Sequence, residues 1–353
     1  MNVAMLAPPW IAVPPPGYGG VESVVSVLTE ALIRRGIEVT LFCAPGSSSS
    51  AEVVPLLSET HPDEIERALY EADHVACAFQ EIELAAPGFD VVHDHCGFTA
   101  LAMADRLATP FVHTLHGQFT TATAAFYARH GHKAAIVPIS RAQLASAPMG
   151  LAMTDAIPNP VDVGGWPLRE QKDNYLLWVG RITPDKGPHR AIAAARAAGV
   201  PLVLAGVVQP GQRAFFEREV APHLDGERVR FAGEVGGAAK RALFAGARAL
   251  LMPIRWEEPF GMVMVEALSC GTPVIAFPEG AAVELVVDGT TGFLVDDEAA
   301  MAAAVGRLSE IAARDCRAWV ARHCDVDVVA AAYERTYRSA MQSDTAGSAV
   351  ALV

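Results

Sequence analysis

The chain has 353 residues, 52% hydrophobic and 19% charged, which is ample for a folded core and long enough to favour two domains over one. Its formal net charge of −13 repels phosphate backbones and anionic membranes, and no dense Lys/Arg run offsets it, so neither nucleic acid nor a stable membrane association is expected. No apolar stretch reaches the roughly 20 charge-poor residues of a membrane helix, and "MNVAMLAPPW" lacks the basic start and cleavage site of a signal peptide, so the sequence reads as cytoplasmic.

In chain order, short β-branched runs alternate with stretches of helical period, the pattern of βα units around a parallel sheet. The first half offers strands at "NVAMLA", "VTLFCA", "DVVHDH", "FVHTLH" and "AIVPIS". A helix is predicted over Val21–Arg35, where Val21, Val24, Val25, Leu28, Ala31 and Leu32 form one apolar stripe closed by Gly36. The segment "AIPNPVDVGGWPLREQKDN" reads as a linker, which puts a first domain at 1–165 and a second at 166–326. The second half repeats the alternation with "YLLWVG", "PLVLAG", "RVRFAG", "ALLMP" and "PVIAF". The small, polar composition of 343–353 suggests a disordered tail. Six cysteines, at 43, 77, 96, 270, 316 and 324, include no C-x-x-C pair and read as reduced thiols, most of them small core residues.

Open parallel sheets bind ligands beyond the carboxyl ends of their strands, so motifs just after strands carry the chemistry. In "PPPGYGGVES", Gly17, Gly19 and Gly20 lead into a helix whose free N–H groups could hold an anion. The glycines match neither a P-loop nor a dinucleotide fingerprint, and a bare turn is an equal alternative. In "VGRITPDKG", Arg181 and Lys186 stand where a diphosphate would lie; the alternative is a pair of solvated surface cations. In "EEPFGMVMVEALSCGTPVIAF", Glu258 precedes a helix expected to start near Gly261, and Glu266 lies inside that almost wholly apolar helix. A buried carboxylate needs a partner, either a ligand's hydroxyl groups or a neighbouring backbone N–H or arginine. The amides of Phe260, Gly261 and Met262 could add an anion site at the helix start.

With "PPPGYGGVES", "DVVHDH", "HTLHG", "AIPNPVD", "VGRITPDKG", "EEPFG" and "DGTTGFLVD" in order along most of the chain, the sequence resembles retaining glycosyltransferases of family 4. The resemblance implies an α/β, GT-B fold: two Rossmann-like domains with parallel sheets facing across a cleft. The acceptor would be held by the first and the nucleotide sugar mainly by the second. It also implies a C-terminal helix, placed at 327–342, that crosses back to the first domain. By the same resemblance Glu266 binds the ribose hydroxyls, and Glu258 contacts hydroxyls of the donor sugar. Arg181 and Lys186 neutralise the diphosphate, the amides of Phe260, Gly261 and Met262 touch phosphate or sugar, and Gly19 and Gly20 form a loop near the phosphates. His116 lies near the transferred sugar, while His93 and His95 are read as structural histidines rather than metal ligands. Pro160 stands where the family commonly has Gly, which leaves Asn159 without an assigned role. Acceptor contacts fall to loops around Tyr18, Cys96–Thr99 and Gly117–Thr123.

The expected reaction is metal-independent transfer of a sugar, by default from a UDP-sugar, to a soluble hydroxyl acceptor with retention of configuration. Cations and amides would stabilise the leaving diphosphate without a metal, and no other cofactor is expected. A nucleotide-sugar epimerase of the same fold and a catalytically silent sugar-nucleotide-binding module are the rivals. A phosphorylase would need a lysine-bound pyridoxal cofactor, which no motif supports.

Overall fold

The computed structural model describes residues 1–17, 19–65 and 68–350, and the chain divides into two units, Met1–Pro160 with the segment from Val326 onward, and Val161–Asp325. In the first unit β1 (Asn2–Leu6), α1 (Gly20–Arg34), β2 (Glu38–Cys43), β3 (Glu52–Pro55), α2 (Ala68–Leu84), β4 (Val91–Asp94), α3 (Phe98–Met103), β5 (Phe111–Leu115), α4 (Thr121–His130), β6 (Ala135–Pro138) and α5 (Arg141–Ala145) follow one another. Their parallel sheet has the order β3-β2-β1-β4-β5-β6. The two-residue period of a strand sorts its side chains to two buried layers. Val3 and Met5 of β1 join the α1 side with Val25, Leu28 and Leu32, whereas Ala4 and Leu6 join the α2 side with Val75, Phe79 and Ile82.

The second unit runs β7 (Leu176–Val179), α6 (Pro188–Ala198), β8 (Leu202–Ala205), α7 (Arg213–Glu219), β9 (Val229–Phe231), α8 (Gly237–Gly246), β10 (Leu250–Met252), α9 (Met262–Ser269), β11 (Val274–Ala276), α10 (Ala282–Leu285), β12 (Gly292–Leu294), α11 (Glu298–Val305) and α12 (Ala313–His323). Its sheet is also parallel, in the order β12-β11-β10-β7-β8-β9. The strand order reverses between β1 and β4 in one sheet and between β7 and β10 in the other, so each unit has a switch point open to ligands at its strands' carboxyl ends. Both units are thus Rossmann-like, as a GT-B fold requires. Among the described residues no helix is long and apolar enough to cross a membrane.

Three features differ from the sequence reading. Strands β3 and β12 were not among the expected elements; both are short and lie at sheet edges, where β3, exposed or half-buried throughout, shows no apolar alternation. The division at Pro160–Val161 lies upstream of the expected linker boundary, because residues from Val161 on are docked on the second unit. Val161 bridges Asp325, Arg317 donates to the carbonyls of Val163, Trp166 and Ser269 at 2.8, 2.6 and 2.9 Å, and Lys172 Nζ donates to Ala245 O, Cys270 O and Thr272 Oγ1. Finally, α13 (Val326–Val350) continues through most of the expected disordered tail; the small residues after Gln342 include no proline to stop a helix. Residues 351–353 lie outside the described ones.

The stripe Val326, Val329, Ala330, Tyr333 and Tyr337 buries α13 in the first unit's core. Its two tyrosines bring hydroxyls inside, and each has a partner. The Tyr337 hydroxyl lies 2.7 Å from His93 Nδ1, His93 Nε2 lies 2.8 Å from Thr114 Oγ1, and that oxygen lies 2.9 Å from the Tyr333 hydroxyl. Tyr337→Phe leaves His93 Nδ1 buried and unpaired, so a loss of about 1–3 kcal/mol is expected. Thermal denaturation followed by circular dichroism should show a lower melting temperature, and an unchanged one would mean that the network adds nothing to the anchoring of α13.

Candidate active site

At the second unit's switch point, β7 and β10 each end in a loop that carries charge. The loop after β7 is pinned by Trp178, whose Nε1 donates 3.1 Å to Lys186 O. Gly187, with φ of 71°, closes it; a Cβ there would stand 2.4 Å from Pro253 O in the loop after β10. The two loops therefore touch, and Lys186 meets Glu258. Its ammonium donates to Glu258 Oε2 and lies 4.5 Å from the centre of the Trp256 ring, while Trp256 Nε1 donates to the same oxygen at 2.9 Å. Glu258 is only 8% exposed, so two donors meet its charge where water cannot. Lys186 is a half-buried partner of Glu258 rather than a solvated surface cation. Arg181, half-buried in the same loop, has no hydrogen-bonding or ionic partner among the described residues.

Beyond Glu258 the chain turns through Gly261, whose φ of 90° favours glycine, into α9. Phe260 is buried, so of this residue the backbone faces chemistry rather than the ring. Among the described residues the amides of Phe260, Gly261 and Met262 have no acceptor, which leaves donors and the positive end of the helix dipole at this point. Glu266 lies within α9, 5% exposed. Lys240 of α8 donates to its Oε1 at 2.6 Å and sits 5.9 Å from the rings of Trp166 and Phe244. The expected protein partner was a backbone N–H or an arginine; a lysine fills that place. Glu266 Oε2 is buried and has no hydrogen bond.

In the first unit Gly19 caps α1 with a φ of 151°, and a Cβ on it would fall 2.6 Å from Pro15 Cβ, so the loop conformation demands glycine. A Cβ on Gly20 would meet nothing within 4 Å, which leaves open space beside the first amides of α1. Tyr18 lies outside the described residues. His116, at the end of β5, lies 2.8 Å by its Nε2 from His95 Nδ1, at the end of β4. His93 is committed to Tyr337 and Thr114, and His113 lies 2.6 Å from Asp94 and 3.0 Å from the Tyr127 hydroxyl. Asn159 is buried with its Oδ1 unpaired.

Lys240, Trp256 and the His95–His116 contact were not among the residues singled out from sequence. Lys240 could have been noticed as a cation in the small-residue helix "GAAKRALFAG", and Trp256 as the aromatic two residues before Glu258. The histidine contact has no local signal, since it spans two strands.

Residues 18–163 match the family model described as Glycosyltransferase Family 4, and residues 167–319 match that described as Glycosyl transferases group 1. A glycogen synthase of Mycobacterium tuberculosis is 30% identical over 292 residues, covering 72% of this chain and 70% of its own. A D-inositol 3-phosphate glycosyltransferase of Frankia alni is 30% identical over 336 residues, covering 78% of this chain and 82% of its own. The crystal structure of AviGT4, a glycosyltransferase involved in avilamycin A biosynthesis, superposes with a TM-score of 0.74 at 26% identity, covering 97% of this chain and 98% of that one.

Glu22, in the first turn of α1 and beside Gly19, is a further buried acid that sequence reasoning passed over. Burial pushes its carboxyl up from 4.5 to about 7, against a smaller opposing effect of a backbone hydrogen bond. Between those two values the folded protein holds a proton that the unfolded chain has released, so this group's stability is fully present below pH 4.5 and is lost as the pH rises to 7. The full loss is about 3 kcal/mol. Glu22→Gln should therefore melt higher than the parent at pH 8, with the difference vanishing near pH 4.5. Parallel melting curves at all pH values would remove the strain assigned to this carboxylate.

Proposed function

The chain belongs to glycosyltransferase family 4 and is a glycosyltransferase that uses a nucleotide sugar, and from that premise we propose metal-independent transfer of a hexose, with retention of configuration, from a UDP-sugar to a hydroxyl acceptor. One observation carries the donor assignment: Glu266 is a buried carboxylate with one oxygen held by Lys240 and the other without a partner. Such an atom costs about 1–3 kcal/mol until a donor reaches it, and a ribose hydroxyl supplies one. Glu258, whose Oε2 is taken by Lys186 and Trp256, keeps Oε1 for hydroxyls of the sugar. Arg181, Lys186 and the amides from Phe260 to Met262 are the counter-charge to a diphosphate.

The reaction breaks the bond from the anomeric carbon to the diphosphate oxygen and forms one from that carbon to the acceptor oxygen on the same face. The acceptor's proton passes to the departing phosphate oxygen. Arg181, Lys186 and the amides stabilise the charge that grows on the leaving group, which is why no metal is assigned to the step. Glu258, already neutralised by a lysine, orients the sugar rather than attacking it. A cytoplasmic location suits six cysteines that are all free. One relative is named for glycogen and another for inositol 3-phosphate, so kinship does not name this chain's acceptor.

Calorimetric titration with UDP in the presence of EDTA tests the donor site. The parent protein should bind, and Arg181→Ala should bind about 10- to 100-fold more weakly, as the loss of a charge-assisted contact predicts. No binding without added magnesium or manganese, or equal affinity in a folded Arg181→Ala, would overturn the assignment. Proton NMR of an early reaction with UDP-glucose tests the stereochemistry: the new linkage should show the small coupling of an α-glucoside. A β-linked product would overturn retention.

A further inference from the structure

Two histidines face each other at the carboxyl ends of neighbouring strands in the first unit, and their hydrogen bond restricts which nitrogen of each carries a proton. We infer that His95 is a positioning residue that fixes His116 as the neutral Nδ1–H tautomer, so that His116 offers a hydrogen-bond donor to its ligand and has no basic nitrogen to give it. This rests on the proposed function in one respect only, that the ligand beside His116 is the sugar being transferred.

The inference follows from counting protons. His95 Nδ1 and His116 Nε2 are 2.8 Å apart, with the two rings inclined by 28°, so one nitrogen donates and the other accepts. The remaining nitrogen of His95, Nε2, is buried and has no partner. If His116 were the donor, the proton of His95 would sit on that Nε2 as a buried, unsatisfied N–H. Orphaned buried donors are rarer than orphaned acceptors. His95 therefore carries its proton on Nδ1 and gives it to His116 Nε2, and the proton of His116 is left on Nδ1, which has no partner among the described residues.

The surroundings keep both rings neutral. Burial holds His116 down to about 3 and His95 well below the histidine range, with smaller contributions from His113 to both rings and, for His95, from His93 and His116. His93 cannot compete for His95, because its own two nitrogens are engaged by Tyr337 and Thr114. A neutral Nδ1–H suits a sugar hydroxyl or ring oxygen as acceptor. It does not suit removal of a proton from the incoming alcohol, a task that the departing phosphate oxygen already has.

Long-range proton–nitrogen NMR spectra of the nitrogen-15-labelled full chain read the tautomer of each imidazole directly. His116→Gln, which deletes one spin system, assigns the signal. In the parent protein at pH 7, His116 should show a protonated Nδ1 and an unprotonated Nε2. His95→Asn keeps an N–H close to the position of Nδ1 and should retain that pattern. His95→Phe, or His95→Leu if the former does not fold, removes the donor and should move His116 to the Nε2–H form favoured by a free histidine side chain. An Nε2–H tautomer in the parent, or an Nδ1–H tautomer that survives the loss of the donor, would overturn the inference. The tautomer is read without turnover, so failure to transfer a sugar would count against the proposed function and leave this result standing.

Discussion

A carboxylate taken out of water has to be met by donors, and the second unit depends on two lysines that do this for two glutamates. Lys186 reaches across from the loop after β7 to Glu258 in the loop after β10, and Lys240 reaches from α8 to Glu266 on α9. Each contact joins segments distant in sequence at the open end of the sheet. Removing either lysine strands a buried carboxylate, which is destabilising. Yet neither pair is complete. Glu266 keeps an unpaired buried oxygen, and the bonds to Glu258 from Lys186 and Trp256 both fall on Oε2. Burial that stabilises the loops has been arranged so that it stops one hydrogen bond short of satisfying them.

The backbone supports the same arrangement. Two loops can lie this close only if no side chain stands between them, which is the reason for Gly187 against Pro253 O. Gly280 acts similarly, since a Cβ on it would come within 2.4 Å of the backbone N and O of Glu258. The amide of Ala281 donates 2.9 Å to Glu258 O, so the residue that presents the carboxylate is held from behind. Glycine freedom here serves contact between loops rather than mobility.

Much of this was legible in the sequence, for a physical reason. Strands buried on both faces announce themselves as β-branched runs, and a helix made of apolar residues makes an embedded acid such as Glu266 conspicuous. The sheet edges were not legible, because β3 is half-exposed and β12 is three residues long with a glycine at its start. The region from Val161 to Asn174 looked like a free linker for its prolines, glycines and charges. Its role emerges only when Arg317 and Lys172, one of them far along the chain, are seen to spend their donors on backbone carbonyls. Nor could composition reveal which basic residue answers Glu266. Burial calls for a cation, and only the fold says that it comes from α8.

The two units handle buried polarity in opposite ways. In the second, Lys186 and Lys240 donate to buried carboxylates, and the half-buried Arg181 has no partner among the described residues. In the first, burial pushes His93, His95 and His116 below the range in which histidines are charged, and Glu22 upward toward neutrality. Placing protonated histidines there would cost the desolvation of each charge. At the carboxyl end of the first sheet His93, His95 and His116 are therefore held neutral by burial, and hydrogen bonds to one another or to hydroxyl groups fix their rings.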